Sequence, residues 1–216
     1  MRGKGFIKLA GVEMEGGWDE RMPSIDSRFE MGSDGSIDEG LAEYIGELRT
    51  KPLKPQALLA AVPVFYPEHV NSTCGLHLHM SFRSAASYAA LCDDEFWPGL
   101  KAELKEWGTR YGVKNANFWS RLDGGNTYCN NDTDAVARSR MTVDTRRASS
   151  RYAPVNYCWS MHKTVEVRVL PMFKQSETAV AALATVMNFT EKWVHNIRVV
   201  QKKQRDIYAM QAELEG

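Results

Sequence analysis

The stretch in which apolar and polar side chains alternate most regularly reads Cys74-Gly75-Leu76-His77-Leu78-His79-Met80-Ser81-Phe82. Strict alternation is typical of a β-strand with one buried face and one polar face. The apolar face would carry Leu76, Leu78, Met80 and Phe82, and the opposite face would carry His77, His79 and Ser81. We therefore predict a strand here that presents two imidazoles on one side of a sheet.

Two other predicted strands, at residues 6–14 and 164–170, also present a pair of charged side chains on one face. The three pairs are Glu13 with Glu15, His77 with His79, and Glu166 with Arg168. Any one pair is compatible with an ordinary solvated strand face. Three pairs drawn only from Glu, His and Arg indicate a functional face, because a solvated face more often uses Thr, Lys, Ser and Gln.

The residue types on this face suit a site for metal ions and phosphate. Carboxylates gathered on one face raise each other's pKa values unless cations neutralise them. Oxygen ligands with an imidazole suit Mg²⁺ or Mn²⁺, and arginine is a common ligand of phosphate. Several carboxylates, a histidine and an arginine together fit polyphosphate chemistry better than a single zinc site.

The rest of the chain predicts an α+β domain spanning residues 1–216. Further strands are expected within 42–53 and 152–159, and helices at 57–65, 87–111 and 178 to about 210. Pro98 is expected to break the second helix, and the strands at 152–159 and 164–170 are expected to form a hairpin. Residues 19–38 and 115–147 are predicted to be irregular. Because helices and strands do not alternate as βαβ units, we expect a mainly antiparallel sheet with helices packed on one side.

Composition excludes several classes of function. Basic and acidic residues balance at 27 each, without a long run of like charge, so neither a nucleic acid nor a membrane surface is an expected partner. An 18-residue apolar run and a signal-peptide pattern are both missing, which predicts a soluble, cytoplasmic protein. The four cysteines form no Cys-x-x-Cys pair and are expected to be reduced thiols.

Three motifs together resemble the glutamine synthetase superfamily. Residues 75–82 resemble its Gly-x-His-x-His-x-Ser strand, and Gly11-Val12-Glu13-Met14-Glu15 resembles its Glu-x-Glu first strand. Residues 151–156, Arg-Tyr-Ala-Pro-Val-Asn, followed by Thr-Val-Glu-Val-Arg at 164–168, resemble elements of its compact amidoligase branch. The motifs follow the family order and span nearly the whole chain, so the combination is more specific than any single motif.

The resemblance implies a fold, a reaction and a set of partners. The fold would be a curved antiparallel sheet forming a half barrel, with helices on its outer face. The reaction would join a carboxylate to an amine with ATP and two or more Mg²⁺ or Mn²⁺ ions, through an acyl phosphate. The substrates would be a small-molecule or peptide carboxylate and an amine, and a homo-oligomer is compatible with the family.

The resemblance also assigns roles to individual residues. Metal ligands would be Glu13, Glu15, Glu47, His77 and Glu166. Nucleotide contacts would be His79, Ser81, Asn156 and Arg168. Catalytic arginines would be Arg168, on the transferred phosphoryl group, and Arg151, on a phosphate or the substrate carboxylate. His69, His162 and His195 are expected to be surface or structurally satisfied histidines instead.

Two alternatives stay open at this level. The His-x-His pair with a glutamate could activate water in a metal-dependent hydrolase, although zinc sites favour three protein ligands and this face offers about six candidates. A catalytically inactive binding module of the same fold would keep the sheet without the chemistry. Glutamine synthetases are also much longer, so glutamine synthesis from free ammonia is not expected.

Overall fold

A computed structural model describes residues 5–20, 26–127, 129, 152–158 and 162–215, with side chains to residue 204. Within these residues one sheet contains six strands, all paired antiparallel, in the order β2-β3-β1-β4-β6-β5. The strands are β1 Ile7–Trp18, β2 Phe29–Gly32, β3 Tyr44–Thr50, β4 Gly75–Phe82, β5 Val155–Cys158 and β6 Thr164–Pro171. The predicted α+β class with an antiparallel sheet is confirmed.

Five α-helices accompany this sheet in the described part of the chain. They are α1 Pro55–Ala61, α2 Ala85–Ala89, α3 Phe96–Arg110, α4 Ala116–Asp123 and α5 Ser176–Glu215. The apolar side chains of the central strands, such as Val12, Leu78 and Val167, belong to one buried core with apolar residues of the helices. Burial of this apolar surface is the main force that holds helices and sheet together. The polar face of the same strands is left to form the site.

Helix α5 contacts both helix α3 and the segment that begins β1. Trp193 packs against Phe96 of α3, with ring centroids 5.8 Å apart, and donates a hydrogen bond to the Ala90 carbonyl at 2.9 Å. The Glu191 carboxylate accepts hydrogen bonds from the backbone amides of Phe6 and Ile7, both at 2.7 Å. This contact ties the start of β1 to the helix.

Three local predictions were wrong. Residues 19–38 contain β2, whose pairing with β3 depends on a distant segment and not on local periodicity. The region 115–147 begins with α4, because the Asn115 side chain caps the amides of residues 117 and 118, and Gly124, at φ 85°, ends the helix. Pro98 does not break a helix: it lies in the first turn of α3, where a missing N–H costs no helical bond.

The pairing of β4 with β6 contains one irregularity. Leu76 pairs with Leu170 and Leu78 pairs with Val167, so two residues of β6, Arg168 and Val169, lie opposite the single residue His77. One extra residue on one strand of an antiparallel pair is a β-bulge, a feature that is common next to functional sites. The bulge lies beside the predicted site residues.

No helix in the described residues combines the length and the apolar character needed to cross a membrane.

Candidate active site

Strand register brings the predicted polar pairs together on one face of the sheet. Glu13 of β1 lies opposite His77 of β4, and His79 lies opposite Glu166 of β6. On the outer side of β6, Asn156 of β5 lies opposite Glu166. These side chains line a pocket of about 710 Å³. Four neighbouring strands therefore contribute to one site.

His77 occupies the middle of the carboxylates. Its Nδ1 atom lies 3.2 Å from Glu13 Oε2 and 3.7 Å from Glu166 Oε1, while its Nε2 atom lies 3.6 Å from Glu15 Oε1. The imidazole is almost completely buried. One ring is thus within reach of carboxylates from the strands on both sides of it.

His79 also lies between Glu13 and Glu166, at slightly longer distances than His77. Its Nε2 atom is 3.4 Å from Glu13 and 3.9 Å from Glu166, and it is buried without a hydrogen-bond partner among the described residues. Glu13, His79 and Glu166 each offer one ligand atom, and these three atoms lie within 4.8 Å of one another. Ligands of one Mg²⁺ at about 2.1 Å lie roughly 3 Å or more apart, so this group fits a small divalent cation.

Glu166 is the most completely held carboxylate of the site. It accepts hydrogen bonds from Arg168 Nη1 at 2.9 Å and from Asn156 Nδ2 at 3.1 Å, and it is buried. Burial alone would raise its pKa, but the charges of Arg168, His79 and His77 outweigh burial and lower it. Glu166 is therefore an ionised, acceptor-only group.

Glu13 is ionised for a similar reason. Burial raises its pKa, but the hydrogen bond with His77 and the charges of His79 and His77 more than reverse that effect, so the pKa lies well below its ordinary value. The pKa of His79 is raised: burial lowers it, whereas Glu13 and Glu166 raise it by more. The two carboxylates thus favour the protonated form of the His79 imidazole.

A second group of carboxylates lies beside the first. Glu15 and Glu47, which are opposite each other on β1 and β3, form with Asp34 a set whose ligand atoms also lie within 4.8 Å of one another. Burial and the charge of Glu13 raise the pKa of Glu47. Glu15 accepts a hydrogen bond from the Gly75 amide at 2.5 Å, which fixes its position against β4. The face therefore carries two groups of clustered ligand atoms, which share strand β1 through Glu13 and Glu15.

Arg49 adds a positive charge on β3, which is separated from Arg168 on β6 by strands β1 and β4. Its Nε donates to Glu47, and this is its only hydrogen bond with the described residues. The side chain is 43% exposed and lines the pocket. Arg49 and Arg168 thus bracket the carboxylates from two different strands.

The remaining predicted residues have different placements. Ser81 lines the pocket, but its hydroxyl donates to the Leu9 carbonyl at 3.1 Å, so it is tied to the backbone. Arg151 lies outside the described residues. His162 was expected to be a surface residue; it is exposed but lines the pocket edge, with its ring centroid 6.5 Å from that of His79.

Two site residues were not identified from the sequence. Arg49 could have been found, because it follows Glu47 by two residues and shares its face, which is the signal used for the other pairs. Asp34 had no such signal, since it reaches Glu15 and Glu47 from an irregular segment. His69 is not among the described residues that line this pocket; its Nε2 is 2.6 Å from exposed Asp19, and with Asp19 and Glu68 it forms a separate group of clustered ligand atoms.

A separate cavity of about 890 Å³ lies between α3, α4 and the start of α5. Trp107, Tyr111 and Phe173 contribute to its wall, and Glu177 is the only carboxylate among the described residues that line it. It therefore lacks the clustered ligands that distinguish the sheet pocket, which is the better candidate for chemistry.

Comparisons with known proteins assign this chain to no family. A scan against models of protein families found no match, and a search of curated proteins also found none.

Proposed function

We propose that this chain is an ATP-dependent carboxylate–amine ligase that forms an amide or isopeptide bond through an acyl phosphate. The observation that carries the proposal is the pair of adjacent ligand groups, Glu13–His79–Glu166 and Glu15–Asp34–Glu47, on one face of an antiparallel sheet between two arginines. The order of the Glu-x-Glu, His-x-His and Glu-x-Arg strands in the sequence supports the same proposal.

The donor atoms fit divalent magnesium or manganese. Two groups rich in carboxylate, one with an imidazole, match hard cations better than a soft thiolate metal. The buried His79 Nε2, without a hydrogen-bond partner in the described part of the chain, is an atom that a cation would satisfy. His77 also lies within reach of Glu13, Glu15 and Glu166, so either imidazole can serve as the nitrogen ligand. With a cation bound, these residues would provide positive charge that offsets the negative charge of a phosphate group.

The chain's own residues would bind and orient the reactants. Arg168 would contact the transferred phosphoryl group, and Glu166 and its hydrogen bond at 2.9 Å would keep the guanidinium aimed into the pocket. Asn156 would hold Glu166 from the other side. Arg49, half exposed on β3, would meet a second anionic group.

The proposed reaction has two steps. An oxygen of the substrate carboxylate attacks the γ-phosphorus of ATP, and ADP leaves, which produces an acyl phosphate. The amine nitrogen then attacks the acyl carbon, phosphate leaves, and the nitrogen loses a proton. We propose that the sheet forms the curved half barrel expected from the resemblance, which would give the nucleotide and the amine separate entrances.

Hydroxylamine can test the first step without knowledge of the natural amine, because it traps acyl phosphates as hydroxamates. The purified chain is incubated with MgATP, hydroxylamine and pools of amino acids and peptides. We expect hydroxamate and ADP in equal amounts, and neither product from a Glu166→Gln variant. One equivalent of bound zinc, no nucleotide binding and hydrolysis of amide substrates would favour a metal-dependent hydrolase instead.

A further inference from the structure

Arg121 of α4 is a charged side chain buried beside the site, and the mechanism above gives it no role. It is only 1% exposed. Its guanidinium donates three hydrogen bonds, all to backbone carbonyls: Nη1 to Arg168 at 3.2 Å and Leu170 at 3.4 Å, and Nη2 to Cys74 at 3.3 Å. No carboxylate lies within ion-pair distance of it in the part of the chain that the structure describes.

Burial of a guanidinium without a carboxylate partner costs free energy of folding, so an arginine at this position needs an explanation. Desolvation lowers the pKa of Arg121. An isolated buried charge costs several kcal/mol in general, and carbonyl hydrogen bonds recover only part of that cost. An apolar residue on α4 would avoid the cost altogether. The Cys74 carbonyl already accepts a hydrogen bond from the Met172 amide at 3.1 Å, so a need for Arg121 must come from a carbonyl that the surrounding backbone leaves without a donor.

The carbonyl of Arg168 has such a need. In an antiparallel ladder, a hydrogen-bonded residue pair exchanges two bonds, one in each direction. The Arg168 amide donates to the Pro154 carbonyl at 2.9 Å. The reciprocal bond would have to come from the amide of residue 154, but proline has no N–H. Arg121 Nη1 supplies the missing donor.

Arg121 takes the place of this missing amide at the β6 bulge. Arg168 and Val169 both lie opposite His77, so the regular ladder to β4 is interrupted at the residue whose side chain faces the pocket. A bulge re-aims a side chain at the expense of local pairing. Arg121 spans the bulge, since it also binds the carbonyls of Leu170 and of Cys74, the residue before β4.

We infer that Arg121 is a positioning residue that fixes the backbone of Arg168, and through it the direction of the Arg168 guanidinium toward Glu166 and the pocket. The inference rests on the proposed function only in assigning Arg168 to phosphate. The hydrogen bonds alone show that a buried side chain supplies the donor that Pro154, which lacks an N–H, cannot provide.

The test is a double-mutant cycle between Arg121 and Pro154. Arg121→Gln removes the charge and shortens the donor, whereas Pro154→Ala restores an amide opposite the Arg168 carbonyl. The Arg121→Gln/Pro154→Ala double variant should therefore regain a hydrogen-bond donor to the Arg168 carbonyl, which Arg121→Gln alone lacks. Arg121→Lys keeps the charge with fewer fixed donors and serves as the milder variant if Arg121→Gln does not fold.

Two readouts separate positioning from simple stability, both taken well below each variant's melting temperature. The first is the Nε–H resonance of Arg168 in ¹⁵N NMR spectra, assigned with Arg168→Lys. The second is the Kd for MgATP. We expect Arg121→Gln to shift the resonance and to weaken MgATP binding roughly tenfold, as for loss of a supporting contact. The double variant should restore both toward the wild-type values.

An Arg121→Gln protein, or the Arg121→Lys protein in its place, with a lowered melting temperature but an unchanged Arg168 resonance would overturn the inference. Failure of the double variant to recover the resonance would do the same. If the wild-type chain does not bind MgATP, the proposed function fails, and the resonance alone still decides the role of Arg121.

Discussion

Glu13 and Glu166 lie on the two strands that flank β4, and one oxygen of each approaches Nδ1 of His77, at 3.2 Å and 3.7 Å. Both carboxylates are ionised, because hydrogen bonds and charges from their neighbours lower their pKa values against the effect of burial. Two anions that converge on one buried imidazole require positive charge between them. In the proposed function, that charge is supplied by divalent metal.

Removal of either carboxylate should abolish nucleotide binding in magnesium. Glu13→Gln and Glu166→Gln keep the side-chain size and remove one negative charge each. We expect the Kd for Mn²⁺, measured by electron paramagnetic resonance, to rise at least 100-fold, beyond the roughly 10- to 100-fold typical of outer-shell changes. Glu13→Ala and Glu166→Ala should lose detectable ATP binding in calorimetry.

Glu106→Gln is the matched control for this set. Glu106 is an exposed carboxylate on α3 whose partner is Arg110, one turn further along the helix. Exposed pairs of this kind contribute little to stability. The control should bind Mn²⁺ and ATP as the wild-type chain does. If Glu106→Gln lost as much Mn²⁺ and ATP affinity as the Glu13 and Glu166 variants, the sheet face would not be the binding site.

The stabilisation of the chain by metal should grow with pH. The folded protein raises the pKa of His79 above its ordinary value of 6.5, so its proton stabilises the metal-free fold below pH 6.5. That contribution is lost as the pH rises through the higher, folded pKa. A cation needs the neutral imidazole, so competition from the proton also weakens as pH rises.

The measurement is the rise in melting temperature on addition of Mg²⁺ or Mn²⁺, at pH 6.0 and at pH 8.5. We expect the larger rise at pH 8.5, and a smaller difference between the two pH values in His79→Asn. A metal effect that is the same at both pH values in the wild-type chain would contradict a role for His79 beside the cation.

Gly75 should not tolerate a methyl group. A Cβ on Gly75 would lie 2.5 Å from His77 Nε2 and 3.1 Å from Glu15 Oε2, and both of these side chains are buried. Gly75→Ala should therefore displace His77 and weaken Mn²⁺ binding at least tenfold. Gly40→Ala is the control, since its Cβ would meet only Asp38 at an ordinary 3.6 Å. Equal Mn²⁺ affinities in the two variants would show that the site tolerates the displacement.

Glu191 should matter for stability and not for the site. Glu191→Ala leaves the amides of Phe6 and Ile7 without the two hydrogen bonds they make at 2.7 Å. Loss of hydrogen bonds to a charged group costs about 1.5–3 kcal/mol each, less where water can replace the carboxylate. Urea unfolding should show a decrease of roughly 1–3 kcal/mol, with Mn²⁺ affinity unchanged. A large change in Mn²⁺ affinity would show that the start of β1 is coupled to Glu13.

The polar face of the central strands could be predicted because its signal is local. Period two alone places His77 with His79, and Glu166 with Arg168, on one side, and it needs no knowledge of what lies across the strand. The same signal was present in Glu47 and Arg49, where only the glutamate was identified. Strand order and register, which bring the pairs into contact, depend on pairing between segments that are far apart in sequence.

The features that could not be predicted are those that only tertiary contacts create. Asp34 joins the second ligand group from an irregular segment, without periodicity to indicate it. Strand β2 has four residues and exists because β3 pairs with it. Arg121 belongs to a stretch expected to be irregular, and its role appears only once the bulge and Pro154 are seen beside it. Helix α4 did carry local signals, in the Asn115 cap and Gly124.

Magnesium-dependent ATP binding is the most direct test of the central claim. The purified chain is stripped of metal, and ATP is titrated into it by calorimetry with Mg²⁺, with Mn²⁺ and with EDTA. We predict one ATP per chain in either metal, none in EDTA, and none in Glu13→Ala or Glu166→Ala with Mg²⁺. The absence of ATP binding in both metals, together with one equivalent of zinc in the chain as purified, would contradict the ligase proposal.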